Sequence, residues 1–128
     1  MQEHHLFEYA VVRVVPRVER EEFINVGVIL LCAKQKFLSC LLTLNEERLK
    51  SLCTSVDIEE VNIHMHSFDR ICNGGKEGGP IGMLPLAERF RWLTASRSTI
   101  VQCSQVHPGL CNDPEVTLKR LFEQLVKV

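Results

Sequence analysis

One stretch in the second half of the chain concentrates side chains that could hold an anion. Its candidate residues are Arg89, Arg91, Arg97, Ser98 and Thr99. Guanidinium groups present a planar fork of donors that matches phosphate or carboxylate, and hydroxyls add further hydrogen bonds. Trp92 in the same stretch offers a ring on which a nucleobase could stack. The stretch predicts a site for an anionic ligand, although arginines alternating with aromatic residues also describe a half-buried element with a solvated polar face.

Arg13 is a second unusual cation, because it lies in a run of tyrosine, alanine and valine residues. Alternation along a strand places it on the same face as Tyr9 and Val15. A buried charge without a partner costs several kcal/mol, so this guanidinium needs one. Either a carboxylate such as Glu22 pairs with it, or it faces a cleft that takes an anionic ligand. In the second case we expect Asn25 nearby.

His107 is the best single candidate for acid–base chemistry. It precedes Pro108 and Gly109, a rigid pair that could fix the imidazole at the mouth of a cleft, and imidazole titrates near neutral pH. However, no serine or cysteine has the surroundings of an activated nucleophile, and no pair of carboxylates has a recognisable spacing. The sequence leaves open whether the protein is an enzyme.

The cysteines and the other histidines form no recognisable metal site. The six cysteines are never separated by the two to four residues that structural zinc sites use. His64 and His66 are two residues apart on a predicted helix and therefore point in different directions. The glycine-rich residues 73–82 match neither a Walker loop nor a dinucleotide-binding fingerprint, so we expect a flexible connection there. We expect no metal and no cofactor.

Three runs of the sequence are predicted to form strands. Residues 9–15, 23–32 and 37–43 are apolar, largely β-branched runs separated by proline, charged residues or a polar turn. The second and third runs are expected to form an antiparallel hairpin. A short strand is predicted over residues 98–103, and residues 106–111 are expected to form a loop.

Helices are predicted where a capping residue precedes an apolar stripe. Asn45, Asp57 and Asp113 can each accept hydrogen bonds at a helix N-terminus, and apolar residues follow each of them at helical spacing. Residues 84–93 fit either a helix or a strand that alternates arginine with aromatic residues, and we prefer the helix. The sequence predicts one α+β domain over residues 1–128, with an antiparallel sheet of about three to four strands packed against three to four helices.

Composition excludes several classes of protein. The 128 residues suit one domain, and the apolar and charged fractions of 45% and 24% are ordinary for a globular protein. A formal net charge of −1 excludes a protein whose whole surface binds nucleic acid, so such a role would need a local patch. The sequence has no secretory signal and no apolar run of the roughly 20 residues that a bilayer requires. We expect a cytoplasmic protein without membrane association.

Four segments resemble the bacterial domain-of-unknown-function family 3037. They are YAVVRVVP (residues 9–16), REEFINVGVIL (20–30), RFRWLTASRST (89–99) and VHPGL (106–110). The resemblance covers nearly the whole chain and implies a stand-alone bacterial protein associated with HipA-like kinases, but it implies no activity. The family-like polar positions and glycine are Arg13, Glu22, Asn25, Gly27, Arg89, Arg91, Arg97, Ser98, Thr99 and His107.

These observations leave three functions open. The first is a binding or accessory protein whose arginine-lined cleft recognises a phosphate-bearing ligand or a partner kinase. The second is a small enzyme acting on a nucleotide or nucleic-acid substrate, with His107 as the acid or base. The third is a structural partner whose apolar face another protein covers. The site hypothesis requires that Arg13, Arg97 and His107 converge on one open pocket.

Overall fold

A computed structural model describes residues 4–127, in which five strands form one sheet. The strands are β1 (His5–Val14), β2 (Ile24–Cys32), β3 (Phe37–Leu42), β4 (Val101–Cys103) and β5 (His107–Cys111). β2 lies between β1 and β3, while β4 and β5 both pair with the other side of β1, and every pair is antiparallel. The predicted antiparallel α+β architecture is confirmed.

Five α-helices complete the part of the chain that the structure describes. They are α1 (Glu46–Leu52), α2 (Ile58–Asn73), α3 (Gly79–Gly82), α4 (Leu86–Thr94) and α5 (Pro114–Leu125), with single 3₁₀ turns at Val18–Arg20, Ala33–Gln35 and Lys76–Gly78. The predicted caps are confirmed, since the side chains of Asn45, Asp57 and Asp113 accept backbone N–H groups at the starts of α1, α2 and α5. The preferred helix at residues 84–93 is also confirmed, as α4. The glycine-rich stretch is more regular than expected, because a 3₁₀ turn and the single-turn α3 occupy it.

Helices cover the sheet on both faces, which explains why β1 and β2 are apolar on both sides. On one face, Val12 of β1 packs in a core with Met65 of α2 and Phe90 of α4. On the other face, Leu30 of β2 packs with Leu118 of α5. We refer to these as the α2/α4 face and the α5 face. Among the described residues, no helix is both long and apolar enough to cross a membrane.

A β-bulge between β1 and β2 sets the direction of Asn25. Arg13 lies opposite Asn25, and the register shifts at this point because β2 carries Val26 as an extra residue. Val26 is therefore buried in the α2/α4 core, while Asn25 shares the α5 face with Arg13. Gly27 follows at the bulge, where an added Cβ would lie 2.4 Å from the carbonyl oxygen of Leu41, so β3 can approach only a glycine.

Residues 107–111 form a strand, and the prediction of a loop over residues 106–111 is wrong there. Pro108 and Gly109 are typical of a turn, but β5 lies at an edge of the sheet, where a proline need not donate to a ladder. Gly109 gives room to Phe7, whose ring would lie 2.5 Å from an added Cβ. Between β4 and β5, the backbone N–H of Val11 donates to the hydroxyl of Ser104 at 2.8 Å, and the N–H of Ser104 donates to the Val11 carbonyl at 2.8 Å. These two bonds continue the ladder across the break.

Candidate anion-binding site

The predicted site residues do not surround one pocket. The structure places Arg13 and Asn25 on the α5 face, Arg89 and Arg91 on α4, Arg97, Ser98 and Thr99 in the loop between α4 and β4, and His107 on β5. The convergence of Arg13, Arg97 and His107 on one pocket, which the site hypothesis requires, is therefore not observed.

Arg91 is neutralised by an acid of the protein. Its two terminal nitrogens, Nη1 and Nη2, each donate to one carboxylate oxygen of Glu8 at 2.8 Å. This fork joins α4 to β1. The hydrogen bonds from Arg91 hold the pKa of Glu8 below its ordinary value, against the opposing effect of burial. We infer that Arg91 connects two elements and leaves little charge for a ligand.

Arg89 supports the glycine-rich connection between α2 and α4. Its Nη1 donates to the carbonyl oxygen of Leu84 at 2.7 Å. The guanidinium also covers Gly74, where an added Cβ would lie 2.9 Å from Cζ and where φ is +80°. The Nε atom of Arg89 is buried and has no hydrogen-bond partner among the described residues. Its surroundings are those of a residue that holds a loop.

Arg13 meets an aromatic ring instead of a carboxylate. Its guanidinium carbon lies 4.1 Å from the centre of the Phe23 ring, a cation–π contact. Glu22, the predicted partner, is bound at 2.7 Å to Nε of Arg20. No ion pair of Arg13 is formed within residues 4–127, and its buried Nε has no hydrogen-bond partner there.

Asn25 closes the end of α5. Its side-chain Nδ2 donates to the carbonyl oxygen of Leu125 at 3.0 Å. This bond satisfies one of the carbonyls that a helix leaves free at its C-terminus. The Oδ1 atom of Asn25 is buried and accepts no hydrogen bond from the described part of the chain. Asn25 thus anchors α5 to β2.

His107 is exposed and lies opposite Tyr9 on β1. The two ring centres are 5.3 Å apart. Tyr9 and Arg13 share a face of β1 but are four residues apart, which is about 13 Å along a strand. The enzymatic alternative depends on His107 alone and stays a prediction.

Arg97 lines a cavity of about 140 Å³ between α2, the end of α4 and β4. We call this the Arg97 cavity. Its polar lining residues are His64, Ser67, Arg97, Thr99, Gln102 and Cys103, beside the ring of Trp92. None of the described residues that line it is acidic. The cavity is therefore a polar hollow whose one permanent charge is positive.

Two contacts hold the guanidinium of Arg97 in place. Its carbon lies 4.2 Å from the centre of the Trp92 ring, and its Nη2 donates to the carbonyl oxygen of Trp92. A guanidinium has five N–H donors, and stacking uses none of them. No carboxylate pairs with Arg97 within residues 4–127. Arg97 therefore retains both donors and charge.

Thr99 and Gln102 each use a hydrogen-bond donor to fix the wall of the cavity. The hydroxyl of Thr99 donates to the carbonyl oxygen of Val101 at 2.7 Å, and Nε2 of Gln102 donates to the carbonyl oxygen of Thr99 at 2.7 Å. Ser98 is exposed and does not line the cavity. The loop that carries Arg97 is thus fixed by hydrogen bonds within its own turn.

The thiol of Cys103 contributes no nucleophile to the cavity. Burial raises the pKa of Cys103 to about 12, although the charges of Arg97 and Arg13 act in the opposite direction. The thiol donates to the carbonyl oxygen of Leu93 at 3.4 Å. A thiol is a strong nucleophile only as the thiolate. The cavity is suited to binding rather than to covalent catalysis.

Sequence reasoning missed the contribution of α2 to this cavity. His64, Ser67 and Ile71 line it, and their spacing of three and four residues places them on one helical face. That spacing was the available signal, but nothing in it indicated which part of the chain the face would meet. His64 also has Glu60 one turn earlier, with Nε2 at 3.8 Å from Oε1.

A larger cavity of about 520 Å³ lies beside Asn25 at the start of α1. Its walls include Arg48 and Lys127, but also Glu46 and Glu47. Positive and negative groups balance there. Size alone therefore does not make it the better anion site. In addition, no group of three or more His, Cys, Asp or Glu side chains in the described range is arranged to hold a metal ion.

Comparison with known proteins gives one finding. The model of a family described as "Protein of unknown function (DUF3037)" matches residues 9–126. Searches of curated proteins and of solved structures return no match. The matched range contains the whole Arg97 cavity, and the description of the family assigns it no activity.

Proposed function

We propose that the chain, which belongs to the DUF3037 family, is a binding protein that holds a phosphate or carboxylate group in the Arg97 cavity. One observation carries the proposal: a guanidinium fixed at a cavity wall by an aromatic ring, with no acidic residue among the described residues that line the cavity. Arginine forks bind these two anions with paired charge-assisted hydrogen bonds.

Three other arginines support this choice by contrast. Arg17, Arg20 and Arg91 are each within 2.9 Å of a carboxylate oxygen of Glu19, Glu22 or Glu8. At these three positions a neighbouring acid already neutralises the guanidinium. Arg97 lies at a hollow instead, which favours a ligand that arrives from outside the chain.

The volume of the cavity limits the ligand to a single anionic group. Pockets that bury a whole small ligand are about 300–1,000 Å³, whereas the Arg97 cavity is about 140 Å³. The remainder of a ligand would lie outside, against the partly exposed Trp92. A nucleobase stacked on Trp92 would have to use the side of the ring that Arg97 does not cover.

Such a group can belong to a small molecule or to a side chain of a protein partner. The association with HipA-like kinases that the family resemblance implies makes a phosphorylated protein one candidate source of the group. Both sources share one chemistry at Arg97. If the group belongs to a small molecule, free inorganic phosphate should be sufficient for binding. If it belongs to a protein partner, the surrounding peptide should also be needed.

Trp92 provides the signal for a binding test, because it is the only tryptophan in the sequence. Its fluorescence is followed while the protein is titrated with inorganic phosphate and, separately, with a phosphoserine peptide. We expect a saturable change that weakens as salt is added, since charged contacts are screened. Saturation only with the peptide would identify a protein partner as the source of the group.

Arg97→Gln is the informative variant and Arg91→Gln is its control. A hydrogen bond to a charged group contributes about 1.5–3 kcal/mol, so Arg97→Gln is expected to weaken binding about tenfold to a hundredfold. Arg91→Gln removes the same charge from the same region but outside the cavity, and is expected to bind as the native protein does. Equal binding by native protein and Arg97→Gln, or no binding of either anion, would contradict the proposal.

A further inference from the structure

The outer edge of β3 has no partner strand within residues 4–127. β3 is the last strand on its side of the sheet and pairs only with β2. An edge strand presents backbone N–H and C=O groups that another strand can pair with. The edge is therefore a surface that recognises one particular kind of partner, an extended backbone.

The two edges of the sheet differ in their protection. The opposite edge consists of two short strands, β4 with three residues and β5 with five. Residues 104–106 form a break between them, and β5 contains a proline at position 108. Short strands, breaks and prolines are devices that prevent a further strand from pairing. β3 has none of them, since its sequence Phe-Leu-Ser-Cys-Leu-Leu contains no proline and no charged residue.

The side chains of β3 leave apolar surface on both faces of the sheet that a neighbouring strand could cover. Leu38 and Leu42 are half-buried against the α2/α4 core, and Phe37 and Leu41 are half-buried against the α5 core. A neighbouring strand would cover the remaining apolar surface of all four. Burial of that surface adds to the free energy of strand pairing.

Charges at the ends of β3 favour a second copy as the partner. Lys34 and Lys36 precede the strand, Glu46 and Glu47 follow it and outnumber the neighbouring Arg48, and all five are exposed. Two antiparallel β3 strands related by a two-fold axis place the start of one beside the end of the other. The basic end of each copy then lies next to the acidic end of its partner.

We propose that two copies of the chain pair antiparallel through β3, with the two-fold axis near Ser39, to form one continuous ten-stranded sheet. This interface is independent of the Arg97 cavity, because that cavity lies at β4 on the opposite edge. Its closed symmetry limits the assembly to a dimer.

The mass in solution tests the proposal, measured by sedimentation velocity over a range of concentrations. The native chain is expected to show the mass of a dimer that dissociates on dilution. Ser39→Lys places two like charges near the axis and is expected to raise the dissociation constant about tenfold or more. Ser39→Thr keeps the edge uncharged and is expected to remain dimeric, with circular dichroism showing that both variants are folded.

A second pair of variants keeps the test valid if Ser39→Lys does not fold. Lys34→Glu with Lys36→Glu changes only exposed residues and is expected to weaken the dimer, and adding Glu46→Lys with Glu47→Lys is expected to restore it. A native chain that is monomeric at all concentrations would overturn the proposal. A folded Ser39→Lys variant that dimerises like the native chain would also overturn it. The same holds for a Lys34→Glu/Lys36→Glu variant without the compensating changes that dimerises like the native chain, and for assemblies that grow beyond two copies.

Discussion

Arg89 and Arg91 show how strongly the surroundings of a residue decide its role. They are two positions apart on α4, so their side chains leave the helix in nearly opposite directions. One supports Gly74, and the other binds Glu8 from β1. The sequence predicted one cationic cluster from their spacing, because the carboxylate of Glu8 is 83 residues away along the chain. Only Arg97 of the three arginines lies at a hollow.

The ion pair of Arg91 and Glu8 leads to a prediction about how the free energy of unfolding depends on pH. Arg91→Gln is expected to lower the free energy of unfolding by about 1 kcal/mol or less at pH 7, because the pair is partly exposed. The folded-state pKa of Glu8 is lowered, so the stabilisation is fully present above the ordinary value of 4.5 and is lost as pH falls through the lowered pKa. Urea unfolding at several pH values measures this difference.

The difference in free energy of unfolding between the native protein and Arg91→Gln should therefore disappear as the pH falls through the pKa of Glu8. Arg20→Gln, which removes an exposed pair with Glu22 joined by a single short contact, serves as the comparison and should have a smaller effect at pH 7. A difference that stays constant from neutral pH to below the pKa of Glu8 would show that Arg91 stabilises the fold by packing instead.

At the scale of elements, most of the fold could be predicted from local chemistry. The caps at Asn45, Asp57 and Asp113 and the apolar runs of β1 to β3 were sufficient, because local preference and tertiary structure agree there. β5 could not be predicted, because Pro108 and Gly109 are typical of a turn. In the structure, Pro108 lies on an edge strand and Gly109 leaves room for the ring of Phe7. The walls of the Arg97 cavity come from three separate elements, and no local pattern predicts that meeting.

Ser104 is the residue that joins β4 to β5, and its loss should be costly. Ser104→Ala leaves the buried N–H of Val11 without its acceptor, which lies at 2.8 Å in the native protein. An unsatisfied buried donor costs about 1–3 kcal/mol. Urea unfolding of Ser104→Ala should show a loss of this size.

Ser98→Ala is the matched control for Ser104→Ala, because Ser98 is an exposed serine in the preceding loop. Its free energy of unfolding should stay within about 0.5 kcal/mol of the native value. Equal stability of the two variants would mean that the Val11 N–H finds another acceptor and that the break is not held by Ser104.

At the level of the whole molecule, the solvent exposure of the cysteines indicates how completely the helices cover the sheet. All six cysteines are free, and four of them are buried, on both faces of the sheet. Cys53 and Cys103 are partly exposed, but burial raises the pKa of Cys103 to about 12. At pH 8 Cys103 is then almost entirely in the unreactive thiol form.

We therefore expect a single fast alkylation of the native protein at pH 8, at Cys53. The other thiols should react only as the protein unfolds, which peptide mass mapping after a short exposure to iodoacetamide measures. Cys53→Ser should remove the fast reaction. Rapid modification of Cys103 in folded protein would mean that the wall of the Arg97 cavity is more open and its thiol more acidic than the structure indicates.

The most direct test of binding at the Arg97 cavity is a backbone and indole ¹H–¹⁵N correlation spectrum recorded during titration with inorganic phosphate. Saturable shifts are expected to concentrate at Ser67, Arg97, Gln102 and the indole of Trp92, and Arg97→Gln should require about tenfold to a hundredfold more phosphate to produce them. Shifts confined to the larger cavity around Arg48 and Lys127, or a spectrum that neither inorganic phosphate nor the phosphoserine peptide changes, would contradict binding at this cavity.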